Sequence, residues 1–234
     1  MTALIETRQL RCGYGKDLTI VPGLDIEVHP GEIVALLGAN GAGKTTTIHT
    51  LAGDLPALGG EILFNGTSTT SPLYARARNG LGLVTEQRAV LMTMTVAENL
   101  RVLCDNEDRA LELFPELRDH LGRKVGLLSG GQQQMLALAW TLARPTTLLL
   151  ADELSLGLAP LIVERLLRAV RQAADSGVGV LLVEQHIHKA LTVADRAYVM
   201  QRGRIRFAGT AAEAAGRMDE IQASYLAAAP VGDV

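Results

Sequence analysis

The segment Gly38-Ala-Asn-Gly-Ala-Gly-Lys-Thr45 constrains this chain more than any other. It fits the pattern GxxxxGK[ST] at every constrained position. Its surroundings matter as much as its letters. Glu32 to Gly38 (EIVALLG) is a short apolar run ending in glycine, the pattern of a buried strand, and the residues through Thr47 lead into a helix. A strand that turns through glycines into a helix gathers backbone N–H groups and aims the positive helix end at one point, which cradles phosphate. Lys44 can then reach the β- and γ-phosphates as a point charge, and the Thr45 hydroxyl can ligate Mg²⁺.

The rest of the chain agrees with such a strand–helix alternation. Glu61 to Phe64 followed by Asn65-Gly66 reads as a strand ending in a tight turn, and Gly82 to Thr85 as another short strand. Thr95 with Glu98 three residues on forms a capping box opening a helix. Gln132 to Ala143 reads as a helix, Thr147 to Ala151 as a fully buried strand, and Leu161 to Ala174 as an amphipathic helix. Val178 to Val183 is a further buried strand, and Tyr198–Met200 with Ile205–Ala208 suggests a last hairpin. Apolar strands alternating with helices predict an α/β fold with a largely parallel sheet. A single domain over 1–234 is expected, with a core of about 1–73 and 141–226, a helical insertion at about 74–140 and a frayed tail at 227–234.

Composition narrows the function classes. With 48% hydrophobic residues the chain can offset its ordering entropy, which excludes disorder as its main state. A net charge of −3 argues against nucleic-acid binding driven by bulk charge and leaves local basic patches open. Two cysteines, Cys12 and Cys104, form neither a disulfide framework nor a zinc motif. The start of the chain lacks the pattern of a signal peptide. The richest apolar stretch, Met135 to Ala151, is broken by Arg144 and Pro145, so the chain is expected to be soluble and to reach a membrane only through a partner.

A second acidic element follows. Leu148-Leu-Leu-Ala-Asp152-Glu153 is an apolar strand ending in two carboxylates. Asp152 at the strand end suits the Mg²⁺ shell beside the phosphate loop. Glu153, one residue further, suits a group that orients or deprotonates water beyond the γ-phosphate. None of Lys16, Lys44, Lys124 and Lys189 sits in the Asn/Thr-Lys-x-Asp pattern of the common GTPases.

Leu128-Ser-Gly-Gly-Gln132 stands about 20 residues before Asp152. With the phosphate loop and the acidic strand, it resembles the signature of the ATP-binding-cassette (ABC) ATPases, and the resemblance runs from about Ile5 to Leu226. It implies a P-loop NTPase fold with a RecA-like core sheet, an antiparallel β subdomain and an inserted helical signature subdomain. It further implies that Gly38, Asn40, Gly41, Gly43, Lys44, Thr45 and Thr46 hold ATP with Mg²⁺, and that Tyr14 stacks on the adenine. Ser129, Gly130, Gly131 and Gln132 would complete the site of a second cassette in a head-to-tail dimer. The switch loop VTEQR offers Glu86 or Gln87 as the Mg²⁺ sensor, and LLVEQH offers Gln185 or His186 as the γ-phosphate contact. His188 is expected to be exposed. Leu154 stands where the family commonly has a proline, and Ala159 where it often has an aspartate.

Within that family, GANGAGKTTT, a glutamate in the switch loop, SLGLAP and VEQ are similar to the ATPase subunits of branched-chain amino-acid importers, a group that also serves urea and short amides. This implies two membrane permease subunits, a second cassette (identical or a sister chain), a solute-binding protein, no nucleic-acid partner, and a place on the cytoplasmic face of the membrane. The uncharged stretch Leu91–Val96 would meet the permease. The alternatives are a lipid-type exporter ATPase, which cassette motifs discriminate poorly, and a non-transport ABC ATPase, which usually carries two cassettes or long coiled insertions.

Overall fold

The continuous apolar runs become strands buried on both faces. The computed structural model describes residues 2–15 and 18–226, with backbone alone for 223–226. In chain order the elements are β1 (Ile5–Gly13), β2 (Thr19–Leu24), β3 (Glu27–Val28), β4 (Ile33–Leu37), α1 (Lys44–Ala52), β5 (Gly59–Phe64), β6 (Thr67–Ser68), α2 (Leu73–Arg78) and β7 (Leu81–Val84). Then come α3 (Val96–Leu103), α4 (Glu107–Leu113), α5 (Gly130–Ala143), β8 (Leu148–Asp152), α6 (Pro160–Asp175), β9 (Gly179–Glu184), α7 (Ile187–Leu191), β10 (Arg196–Gln201), β11 (Arg204–Thr210), α8 (Ala211–Gly216) and α9 (Met218–Leu226).

The main sheet has six strands in the order β11-β10-β4-β9-β8-β7. All neighbours pair in parallel except the β10–β11 hairpin. Side chains alternate across a strand, so β4 sends Ile33, Ala35 and Leu37 into one core and Val34 and Leu36 into the other. Strands β8 and β9 divide the same way, Leu149 and Leu182 to one side, Leu150 and Leu181 to the other. Burial on both faces is the reason these segments read as unbroken apolar runs. One core lies under α5, α6 and the helices from α3 onward, and the other packs α1 and the second sheet.

That second sheet is antiparallel, in the order β2-β1-β5-β6 with β3 pairing β1. Strands β1 to β3 carry none of the clear apolar runs seen elsewhere, and register shifts interrupt β1 against both of its long neighbours. The Asn65-Gly66 turn forms as its sequence predicts, both residues having positive φ (52° and 75°), and joins β5 to β6. The Thr95–Glu98 capping box also forms, opening α3.

The stretch 74–140, read as a helical insertion, contains a strand of the main sheet. Its short run Leu81–Val84 pairs β8 at the sheet edge, because the parallel ladder supplies partners that four residues could not provide for themselves. The helices α3, α4 and α5 follow it before the chain returns to β8. The tail expected to fray, 227–234, lies outside the described residues. No helix among those described is long and apolar enough to cross a membrane.

Candidate active site

Parallel strands all end on one side, and the loops that leave them there are the usual place for a ligand in such a sheet. Here β4 ends in the phosphate loop, β8 in Asp152-Glu153, β9 in Glu184-Gln185-His186, and β7 in the Glu86-Gln87 loop. In-register pairing sets Asp152 beside Val183, and Leu37 beside Glu184.

The phosphate loop is built around two glycines that no other residue could replace without movement. Gly38 passes so close to β10 that a Cβ would lie 2.5 Å from the Met200 carbonyl oxygen. Gly43 caps α1 with φ 106°, a conformation open to glycine, and a Cβ there would meet Val21 at 2.9 Å. The first helical bond runs from Thr47 N–H to the Gly43 carbonyl at 2.9 Å. The preceding N–H groups, those of Lys44, Thr45 and Thr46 among them, are the donors a helix start leaves for an anion.

A cavity of about 260 Å³ opens above this helix end, lined by Tyr14, Ile20, Asn40, Gly41, Gly43, Lys44, Thr45, Thr46 and Glu153. Tyr14 is 58% exposed, and its hydroxyl accepts a bond from Thr46 Oγ1 at 3.4 Å. Lys44 is buried and donates to the Gly38 carbonyl at 2.8 Å and the Ala39 carbonyl at 3.3 Å. Its Nζ lies 3.9 Å from Glu153 Oε1. Burial holds the Lys44 ammonium below its usual pKa, and the nearby charges of Glu153, Asp152 and Glu184 only partly restore it.

Asp152 is buried, and its Oδ1 has no hydrogen-bond partner among the described residues. Burial raises its carboxyl above the usual range, against a hydrogen bond from Thr45 and the attraction of Lys44. A buried carboxylate oxygen without a partner is costly, and it is what a divalent cation would satisfy. The donor set fits Mg²⁺, which takes one or two protein oxygens and completes its shell with water and phosphate. No cluster of three or more His, Cys, Asp or Glu side chains stands ready as a cage among the described residues.

A folded-state pKa above the unfolded one means the native state binds extra protons, so stability falls as pH rises from the ordinary carboxylate range through the raised value. Asp152→Asn therefore raises the stability of the nucleotide-free protein at neutral pH and flattens that decline. The isosteric amide removes the buried charge and keeps the side chain's shape, so urea unfolding across pH should show a higher midpoint for the variant at neutral pH and a weaker dependence on pH.

The other sequence-predicted residues are not gathered into this cavity. Ser129, Gly130, Gly131 and Gln132 open α5, where Ser129 Oγ accepts from Gln132 N–H at 3.3 Å and Gln132 Oε1 accepts from Ser129 N–H at 2.9 Å. None of the four lines the cavity. Glu86 and Gln87 are both exposed in the loop after β7, and Gln185 and His186 lie half-buried and exposed at the end of β9, again outside the lining. His188 is exposed, as expected from sequence, with Nε2 at 3.3 Å from Gln222 Nε2. Leu91, Met92 and Met94 stand on the surface, while Val96 is core.

Sequence reasoning passed over two residues that the fold brings into play. Arg88, in the switch loop with φ 47°, donates to Gln133 Oε1 at 3.1 Å and Gln134 Oε1 at 3.2 Å, tying that loop to the start of α5. Glu184 is buried at the end of β9 and binds Ser155. A charged residue closing an otherwise apolar strand run was the available signal for Glu184; Arg88 had none.

Comparison with known proteins identifies the family. Residues 21–155 match the family described as ABC transporter. The chain is 42% identical to a high-affinity branched-chain amino acid transport ATP-binding protein of Pseudomonas aeruginosa, over 82% of this chain and 86% of the relative. It is 36% identical to a probable branched-chain amino acid transport ATP-binding protein of Archaeoglobus fulgidus, over 90% and 93%. It is also 34% identical to the lipopolysaccharide export system ATP-binding protein of Escherichia coli, over 90% and 92%. Among solved structures, an ATP-binding subunit of an ABC transporter superposes with a TM-score of 0.81 at 26% identity, covering 95% of this chain and 99% of the other. The ADP conformation of an ATP-binding cassette gives a TM-score of 0.85 at 22% identity over 97% and 99%, which speaks for the fold alone. With its phosphate loop, paired acids and signature turn on a cassette fold, the chain belongs to the ABC transporter family, as an ATP-binding and ATP-hydrolysing subunit.

Proposed function

We propose that this subunit powers import of branched-chain amino acids or related small solutes such as urea or short amides. The observation that carries this reading is the 42% identity, over most of both chains, to the Pseudomonas aeruginosa amino-acid transport subunit. Two permease subunits, a second cassette and a solute-binding protein would complete the assembly on the inner face of the cell membrane. Within segment 74–140, the helices that follow β7 would act as the lobe presenting the signature turn, and the exposed Leu91, Met92 and Met94 would meet the permease.

The chemistry follows from the cavity. ATP would enter with its phosphates on the loop N–H groups, and Lys44 would turn from the Gly38 and Ala39 carbonyls toward the phosphate oxygens. Thr45 and Asp152 would hold Mg²⁺, with Glu86 or Gln87 as an outer contact, and the ion would neutralise charge on the β- and γ-phosphates. Glu153 would orient the attacking water and accept its proton on the carboxylate facing the cavity. Tyr14 would cover the adenine, and Gln185 or His186 would sense the γ-phosphate. Ser129, Gly130, Gly131 and Gln132 would close over the nucleotide of the facing cassette.

Purifying the tagged chain from gently solubilised native membranes tests the assignment. Recovery of two multi-span permeases and a solute-binding protein that binds an amino acid, urea or an amide is expected. Recovery of lipid-handling export components would instead favour the second reading, which the 34% identity to the lipopolysaccharide export subunit keeps in view.

A further inference from the structure

Glu153 has φ 49°, the left-handed region that a residue with a side chain rarely adopts. Such a conformation persists only where its surroundings over-determine it. On one side it is held by the sheet, since the Glu153 N–H donates to the Val183 carbonyl at 2.9 Å. On the other side the chain continues through Leu154, which has no ring to preset its φ, and into Ser155.

Ser155 is where the turn is fastened. Its N–H donates to Glu184 Oε1 at 3.1 Å, and its hydroxyl donates to Glu184 Oε2 at 2.8 Å. Both residues are buried, Ser155 at 3% and Glu184 at 2% exposure. The two polar groups of Ser155 are met by a side chain that offers two polar atoms in a fixed fork, as a carboxylate does. Glu184 itself is set by β9, whose ladder with β4 pairs it with Leu37, the residue before the phosphate loop. One buried side chain thus joins the frame of the phosphate loop to the turn that aims Glu153.

The placement is costly without a purpose. Glu184 sits close enough to Glu153 for the two charges to repel, and burial raises its carboxyl above the usual range despite both bonds from Ser155. Its two oxygens are taken by Ser155, which leaves it poorly suited to act on water itself.

We propose that Glu184 is a positioning residue for hydrolysis, clamping Ser155 so that the left-handed turn at Glu153 keeps its carboxylate aimed into the nucleotide cavity. This rests on the reading of Glu153 as the group that acts on water.

The test is steady-state ATP hydrolysis by the full chain for the parent, Glu184→Ala, Glu184→Gln and Glu153→Gln, with nucleotide affinity from a fluorescent ATP analogue. Glu184→Ala is expected to lower kcat at least tenfold with KM and affinity within twofold. Glu184→Gln keeps one acceptor for the Ser155 N–H and donates to its hydroxyl, so it should recover most of the lost rate. A Glu184→Ala kcat within twofold of the parent overturns the clamp, as does a Glu184→Gln rate no better than Glu184→Ala. Should Glu184→Ala not fold, Ser155→Ala decides, since it removes the hydroxyl bond and keeps the N–H bond: a lower kcat at unchanged KM supports the clamp, and an unchanged kcat overturns it as a two-point hold. Loss of rate in Glu153→Gln beside a parent-like Glu184→Ala removes the clamp alone. A parent-like Glu153→Gln removes the base assignment and the clamp with it.

Discussion

Glu153→Gln is expected to lower steady-state ATP hydrolysis by at least ~10²-fold, the lower end of what a positioned general base contributes, while KM for ATP changes little. The substitution is isosteric, so the turn at Glu153 and its bond to the Val183 carbonyl remain. What disappears is the carboxylate that lines the cavity 3.9 Å from Lys44. The two other acids nearby offer no replacement. Asp152 is buried at the strand end with the Thr45 hydroxyl against it, and Glu184 has both oxygens committed to Ser155. With binding intact and hydrolysis blocked, the variant should also accumulate as an ATP-dependent dimer of twice the parent mass by size-exclusion chromatography. A rate like the parent's would show that another group activates the water.

Lys44→Met separates binding from folding. In the nucleotide-free protein the Lys44 ammonium is held at a net cost, because burial outweighs the attraction of Glu153, Asp152 and Glu184. Removing it should therefore leave apo stability unchanged or slightly higher in urea unfolding. Nucleotide affinity should behave in the opposite way. A charge-assisted bond to phosphate is worth about 1.5–3 kcal/mol, so affinity should weaken by about 10- to 100-fold. Isothermal titration with ATP and Mg²⁺ measures this directly. Retained affinity would mean that the loop N–H groups alone carry the phosphates. A collapse of apo stability would mean that Lys44's bonds to Gly38 and Ala39 hold the loop itself.

The parts of the site legible in the sequence are those whose chemistry is local. Gly38 to Thr45 needs only its own glycines and the helix that follows, and elsewhere in the fold the capping box at Thr95–Glu98 closes over three residues. Strands β4, β8 and β9 are apolar up to the acids that close β8 and β9, because both faces are covered, and this marks them without any knowledge of their neighbours. The first three strands were less legible. Their sheet is antiparallel with interrupted register, so Gln9 adopts φ 46° within β1 and the alternation breaks there.

Sequence alone determined the phosphate loop, the acid pair that ends β8, the signature turn and the α/β class, because each is written in residues adjacent along the chain. Only the tertiary structure decided which of these share a cavity and what steadies them. The order β10-β4-β9-β8 brings Glu184 against Ser155 across 29 residues of chain, and the return of α5 under β7 brings Arg88 to Gln133 and Gln134. It also leaves the signature turn outside the cavity of its own chain. Such contacts depend on strand order and side-chain direction, which close only when the sheet assembles, and no local pattern of letters encodes them.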